Sequence, residues 1–161
     1  MSLTSQNGWP ASSDRSAIGV KNYMVEGTQI YLAVATAAAP LLLAFAKWFN
    51  EHIEPLAGKV WDEWGYAYRP VRGQSVMLSN HSSGSAIDLN SATHPRLKPN
   101  TFKPDKVALI RAECKRLGLR WGGDYSVAIV DEMHFEVNMS MYEAHVLIAQ
   151  LQLQMPKEKS K

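Results

Sequence analysis

Ser79-Asn80-His81-Ser82-Ser83-Gly84-Ser85-Ala86-Ile87-Asp88 is the stretch whose reading decides the rest of the chain. His81 and Asp88 stand seven positions apart, separated mainly by small residues. A helix would set residues seven apart on one face, but Gly84 and the serines around it disfavour a helix. A turn running into a short strand, Ser85 to Leu89, fits better. It brings the imidazole and the carboxylate together, and the small side chains leave room for an ion and a substrate.

Two ligands do not make a catalytic metal site. Zinc in such sites takes three protein ligands and keeps a fourth position for water. His134, in Asp131-Glu132-Met133-His134-Phe135-Glu136, is the candidate third ligand. A carboxylate a few residues before a metal-bound histidine recurs as the general base of zinc hydrolases. Either piece alone is weak, since an isolated His–Asp pair is more often a surface hydrogen bond or a cap. His52, His94 and His145 are not assigned to metal, for want of comparable carboxylate neighbours.

The surrounding chain predicts one α+β domain, a small antiparallel sheet with helices packed on it. Its 161 residues suit a single core, and 46% hydrophobic and 20% charged residues are ordinary globular values. Gln29 to Val34 reads as a strand, and a helix starts at about Ala38 or Pro40 and runs to about Ile53. Leu42, Phe45, Ala46 and Phe49 give that helix its buried face. The apolar run Ile30 to Ala46 is therefore read as core, since Pro40 interrupts it and it lies too far along the chain for a secretory signal.

Trp61 to Tyr68 is aromatic and leads into Arg69-Pro70. The stretch from Asn90 to Pro104 is a long loop of the kind that often carries function. Asp105 to Leu117 is a helix closed by Gly118, and the single cysteine, Cys114, lies on its apolar stripe as a core residue. Val127 to Val130 and His134 to Val137 are expected as two antiparallel strands. Ser140 and Glu143 form a capping box that opens the last helix. Residues 1–22 are expected as an irregular arm with Trp9 resting on the body, 23–155 as the catalytic domain, and 156–161 as a disordered basic tail.

A net charge of +2, with no block of lysines and arginines, argues against nucleic acid as a partner. Membrane insertion is not expected either, and the chain is expected to be a monomer.

The first motif resembles the S-x-H-x-x-G-x-A-x-D signature of the zinc D-alanyl-D-alanine carboxypeptidases, and D-E-M-H-F-E resembles their second motif. That VanY-like family includes phage L-alanyl-D-glutamate endopeptidases and shares its fold with the Hedgehog signalling domain. The Y-R-P segment and the W-G-G-D turn match the family's order, so the resemblance runs from about Thr28 to Val137. It implies one zinc ion held by His81, Asp88 and His134. It further implies Asp131 as catalytic base, Arg69 as the residue that binds and polarises the scissile carbonyl, and Ser79 as a substrate contact or support. On an ideal strand Glu132, not Asp131, would share a face with His134, so Asp131 needs a turn before the strand begins. An aspartate at the base position resembles the phage branch.

The resemblance implies cleavage of peptidoglycan stem peptides, at the L-alanyl-D-glutamate bond as in phage endolysins. The alternatives are a D-alanyl-D-alanine carboxypeptidase or a zinc-binding module without catalysis. With no export signal read in the sequence, the expected location is the host cytoplasm until the protein is released to the wall.

Overall fold

A computed structural model describes residues 3–58 and 62–160, so Trp61 and Lys161 lie outside the described residues. The elements follow in the order β1 (Val20–Met24), β2 (Tyr31–Ala35), α1 (Ala39–His52), β3 (Ala86–Asp88), α2 (Pro104–Arg116), β4 (Leu119–Trp121), β5 (His134–Val137) and α3 (Met141–Gln150). β1 and β2 form an antiparallel hairpin, while β3, β5 and β4 form a second antiparallel sheet with β5 in the centre. The fold is α+β, as expected.

Pro40 stands in the first turn of α1, where its missing amide costs nothing. The face bearing Leu42, Phe45, Ala46 and Phe49 is wholly buried. It packs on β5, with the rings of Phe45 and Phe135 centred 4.4 Å apart and those of Phe49 and Phe135 6.0 Å apart. Ile110, Cys114 and Leu117 of α2 and its end complete this core, and burial pushes the Cys114 thiol up, away from any nucleophilic role. α3 begins with the expected capping box, Ser140 accepting from the Glu143 amide and Glu143 accepting from the Ser140 amide. None of the described helices is long and apolar enough to cross a membrane.

Several expectations are corrected. Residues 127–129 form a turn, not a strand: Ile129 N–H donates back to Ser126 O at 2.9 Å, and Val127 and Ile129 face solvent. The strands that flank β5 are β3 and β4, and neither β4 nor β1 was foreseen. The end of the chain is not loose. Met24 N–H donates to Lys157 O, Lys159 N–H donates to Asn22 O, each at 2.8 Å, and Lys21 pairs with Glu158 at 3.0 Å, so 157–159 runs along the free edge of β1. Covering that edge satisfies backbone groups that would otherwise be open to pairing.

The N-terminal arm is irregular as far as Arg15 and well anchored, and the expected boundary at residue 22 falls inside β1. Trp9 is buried, and its indole N–H donates to Met139 O at 2.8 Å.

Candidate active site

The register of the second sheet builds the site. Asp88 of β3 stands directly opposite His134 of β5, and Ala86 opposite Glu136. Side chains alternate across a strand, so Asp88, His134 and Glu136 share one face while Ile87 and Phe135 enter the core on the other. Directly opposed residues hold their Cβ atoms within about 5.5 Å, close enough for two side chains to share an ion.

His81 arrives from a different direction. It lies in a single 3-10 turn, Asn80–Ser83, capped at its start by Ser79 Oγ, which accepts from the His81 amide at 3.3 Å. Gly84 ends the turn at φ 67°, and a Cβ there would stand 2.6 Å from the Ala35 amide nitrogen. Only glycine satisfies both the left-handed backbone and that close approach, which explains its place in the motif.

Three atoms converge as a result. His81 Nε2 lies 3.1 Å from His134 Nδ1 and 3.3 Å from Asp88 Oδ1, and His134 Nδ1 lies 3.0 Å from Asp88 Oδ1. All three residues are buried, and they are the metal-capable group found among the described residues. Around a tetrahedral zinc with ligands at about 2.0–2.1 Å, neighbouring ligand atoms stand roughly 3.3 Å apart, so the spacing fits the ion.

The tautomers fit as well. His81 Nδ1 donates to Gly65 O at 2.7 Å, which leaves Nε2 with its lone pair toward the centre. His134 Nε2 donates to Glu136 Oε2 at 2.9 Å, which leaves Nδ1 as the inward nitrogen. A carboxylate or carbonyl behind each imidazole is the usual outer support of a metal ligand.

The electrostatics ask for a cation. Burial works against ionised Asp88, but the two imidazoles hold its carboxyl far below the usual range. Glu136 is likewise opposed by burial but is held at about 2 by His134, Tyr125 and Asn80. Burial disfavours a charged His134, yet its bonds to Asp88 and Glu136 raise it to about 10. The positive charge these carboxylates require can come from a proton on His134 or from a metal at the centre.

The remaining candidates line a cleft of about 400 Å³ beside the cluster, namely Arg69, Ser79 and Asp131. The turn that Asp131 needs is present: His134 N–H donates to Asp131 O at 3.1 Å, and β5 starts only at His134. Asp131 Oδ1 is buried without a hydrogen-bond partner, and burial, then the Asp88 charge, raises its pKa. Glu132 points elsewhere. Its carboxylate accepts from the amides of Asn100 at 2.7 Å and Thr101 at 2.8 Å, and from the Thr101 hydroxyl.

Arg69 faces Ser79 across a narrow ribbon, with Ser79 N–H donating to Arg69 O at 3.1 Å, and the Ser82 hydroxyl holds the Arg69 backbone from behind at 2.9 Å.

Sequence reasoning missed Glu136, Asn80 and Tyr125. Glu136 gathers donors from His134, Asn80 and Tyr125, the last two at 2.6 and 2.7 Å. Its position two residues beyond His134 on a strand was the available signal. His52 and His145 are exposed, in α1 and α3. His94 is buried, stacked on Phe102 with its Nε2 2.6 Å from Glu54, so it does have a carboxylate neighbour but belongs to no metal group among the described residues.

Residues 72–137 match the model of a family described as D-alanyl-D-alanine carboxypeptidase. The chain is 34% identical over 67 residues to the L-alanyl-D-glutamate peptidase of Listeria phage A118, a stretch covering 42% of this chain and 24% of that relative. The match therefore spans about a quarter of the relative's length. No solved structure matches the chain. The resemblance read from the two motifs is borne out over the segment that carries them.

Proposed function

We propose that this chain is a zinc-dependent peptidase of peptidoglycan stem peptides that cuts the L-alanyl-D-glutamate bond, in the manner of a phage endolysin. The observation that carries the reading is the convergence of His81 Nε2, Asp88 Oδ1 and His134 Nδ1, each histidine held through its outer ring nitrogen so that the other nitrogen faces the centre. These three would hold one zinc ion and leave a fourth position open. The phage relative supports the bond and the setting. In that setting the protein waits in the host cytoplasm and acts once released to the wall.

When bound, the metal supplies Lewis acidity that polarises the scissile carbonyl and acidifies the attacking water. Asp131 takes the proton from that water through its unpartnered oxygen and passes it to the leaving amine. The Arg69 guanidinium, on the cleft wall, hydrogen-bonds the oxyanion as it develops, a contribution of about 3–4 kcal/mol for a well-placed donor. The Ser79 hydroxyl lines the same wall and meets the substrate backbone.

The family description favours a second reading, a D-alanyl-D-alanine carboxypeptidase. Metal analysis paired with digestion of purified peptidoglycan tests both. About one zinc per chain, with new amino groups whose release stops on chelation and resumes on zinc addition, is the expected result. New N-terminal D-glutamate supports the endopeptidase, and free D-alanine supports the carboxypeptidase. Bound zinc with no cleavage would make the chain a zinc-binding module, and absence of zinc binding would overturn the proposal.

A further inference from the structure

The arginines outside the cleft are all partnered. Arg15 donates to Asn22 at 3.2 Å, Arg111 pairs with Asp124 at 2.8 Å and Arg116 with Glu113 at 2.6 Å. Arg120, at the cleft edge, leans over the Tyr125 ring 4.6 Å away and toward Glu136. Arg69, Arg72 and Arg96 differ. Among the described residues, none of their guanidiniums has a carboxylate oxygen within 4.0 Å or makes a hydrogen bond. All three line the cleft that holds His81, Asp131 and His134.

One unpaired guanidinium in open water needs no explanation. Three in one concave wall repel each other, and Arg69 and Arg96 are half-buried, so part of their hydration is lost. The backbone turns sharply just after Arg96. Leu97 sits at φ 66°, a left-handed conformation that leucine rarely adopts, and its N–H donates to Val130 O at 2.8 Å. That bond ties the residue after Arg96 to the residue immediately before Asp131. Such an arrangement is stabilised by an anion in the cleft, and guanidinium is the side chain best shaped for a carboxylate.

We infer that Arg72 and Arg96, with Arg69, form a carboxylate-reading wall, and that the substrate is an acidic peptide with a free carboxylate on the residue whose amide nitrogen is released. This rests on the peptidase reading above and sharpens it. In an L-alanyl-γ-D-glutamyl peptide the free α-carboxylate of the glutamate lies one carbon from the scissile nitrogen. Converting it to a carboxamide removes the charge while keeping the shape.

The test measures binding, so that it stands apart from turnover. Zinc-loaded full chain carrying Asp131→Asn is titrated calorimetrically with L-alanyl-γ-D-glutamyl-L-lysyl-D-alanine, with the same peptide amidated at the glutamate α-carboxyl, and with the same peptide amidated at its C-terminus. Loss of the α-carboxylate is expected to weaken binding about tenfold or more, and C-terminal amidation by no more than about twofold. Arg96→Gln and Arg72→Gln in the same background are expected to weaken the acid peptide about tenfold each while leaving the α-amide nearly unchanged. Arg116→Gln, which removes the same charge far from the cleft, is expected to change neither.

Equal binding of the acid and the α-amide would overturn the inference. So would an Arg116→Gln loss as large as that of Arg96→Gln, or binding that follows the C-terminus, or no binding at all. If acid-selective binding appears but the wild-type chain releases no amine from the wall, the peptidase reading falls and the wall of arginines stands. Cleavage of both peptides at equal efficiency and affinity gives the reverse.

Discussion

Replacing Glu136 by glutamine keeps the shape of the side chain and exchanges one carboxylate oxygen for an amide nitrogen. Every neighbour of that carboxylate is a donor: His134 Nε2 at 2.9 Å, Asn80 Nδ2 at 2.6 Å and the Tyr125 hydroxyl at 2.7 Å. The least costly arrangement keeps the oxygen toward His134 and Asn80 and turns the new amide toward Tyr125, whose hydroxyl can rotate to accept. Packing then survives and the loss is the negative charge behind His134. That charge helps raise His134 to about 10 and makes its inward nitrogen a stronger ligand.

Loss of such an outer partner typically weakens metal binding 10- to 100-fold, which is about 1.4–2.7 kcal/mol. The assay is competition for zinc against a chromophoric chelator at neutral pH, with the unfolding midpoint of each protein as the control for folding. Tyr125→Phe removes one donor from the far oxygen and leaves the charge, so it should shift zinc affinity by no more than about threefold. A Glu136→Gln affinity within about twofold of wild type, in a folded protein, would refute the argument that this carboxylate tunes the ligand.

Asp131→Asn should leave stability and zinc affinity close to wild type while lowering turnover by about 100-fold or more. Glu132→Gln should do the opposite, costing about 2–3 kcal/mol in denaturant unfolding because it disturbs the carboxylate that holds Asn100 and Thr101; lost turnover at full stability in that variant would move the base to Glu132. Gly122→Ala would place a Cβ 2.2 Å from Asp131 O and 3.1 Å from His134 Cβ, so the turn must shift, with about 1–3 kcal/mol of destabilisation and at least tenfold less turnover. Wild-type kinetics from Gly122→Ala would show that the placement of Asp131 is not critical.

Acid stability carries a further prediction. Burial opposes ionised Glu54, but His94 and Asn90 hold its carboxyl below the ordinary 4.5. A depressed folded pKa contributes stability above the unfolded value that disappears as pH falls through the folded one. Unfolding free energy should therefore decline below pH 4.5, and less steeply in Glu54→Gln; parallel profiles for the two proteins would argue against the pairing.

What was legible in the sequence was local or periodic. Pro40 and the three- and four-residue spacing of Leu42, Phe45, Ala46 and Phe49 specify α1 through forces that act within a few turns. Ser140 and Glu143 specify the start of α3 through two hydrogen bonds between neighbours. The motif from Ser79 to Asp88 was readable because its glycine and small residues state a steric requirement, a 3-10 turn pressed against the backbone of β2.

The errors arise where register, not residue type, decides. Val127-Ala128-Ile129-Val130 has the β-branched residues of a strand, yet the short span between Gly122 and Asp131 is closed by the Asp131 N–H to Gly122 O bond at 3.0 Å, which leaves residues 127–129 in solvent and buries only Val130. Leu119-Arg120-Trp121 carries a weaker local pattern and becomes β4 because Trp121 meets Phe135 across the sheet.

The site divides in the same way. Asp131 and Glu132 are adjacent, and strand geometry alone would have chosen Glu132. In the fold Asp131 lines the cleft, while a partner 31 residues away, Thr101, occupies the Glu132 carboxylate. Asn7 shows the extreme case. Its backbone N–H donates to Asn80 Oδ1 at 2.9 Å, and Asn80 donates in turn to Glu136 behind His134. An arm with no periodicity of its own thus reaches a metal-capable histidine through three hydrogen bonds. No spacing rule could find that path, because it exists only once the hydrophobic core has brought the arm, the motif turn and β5 into contact.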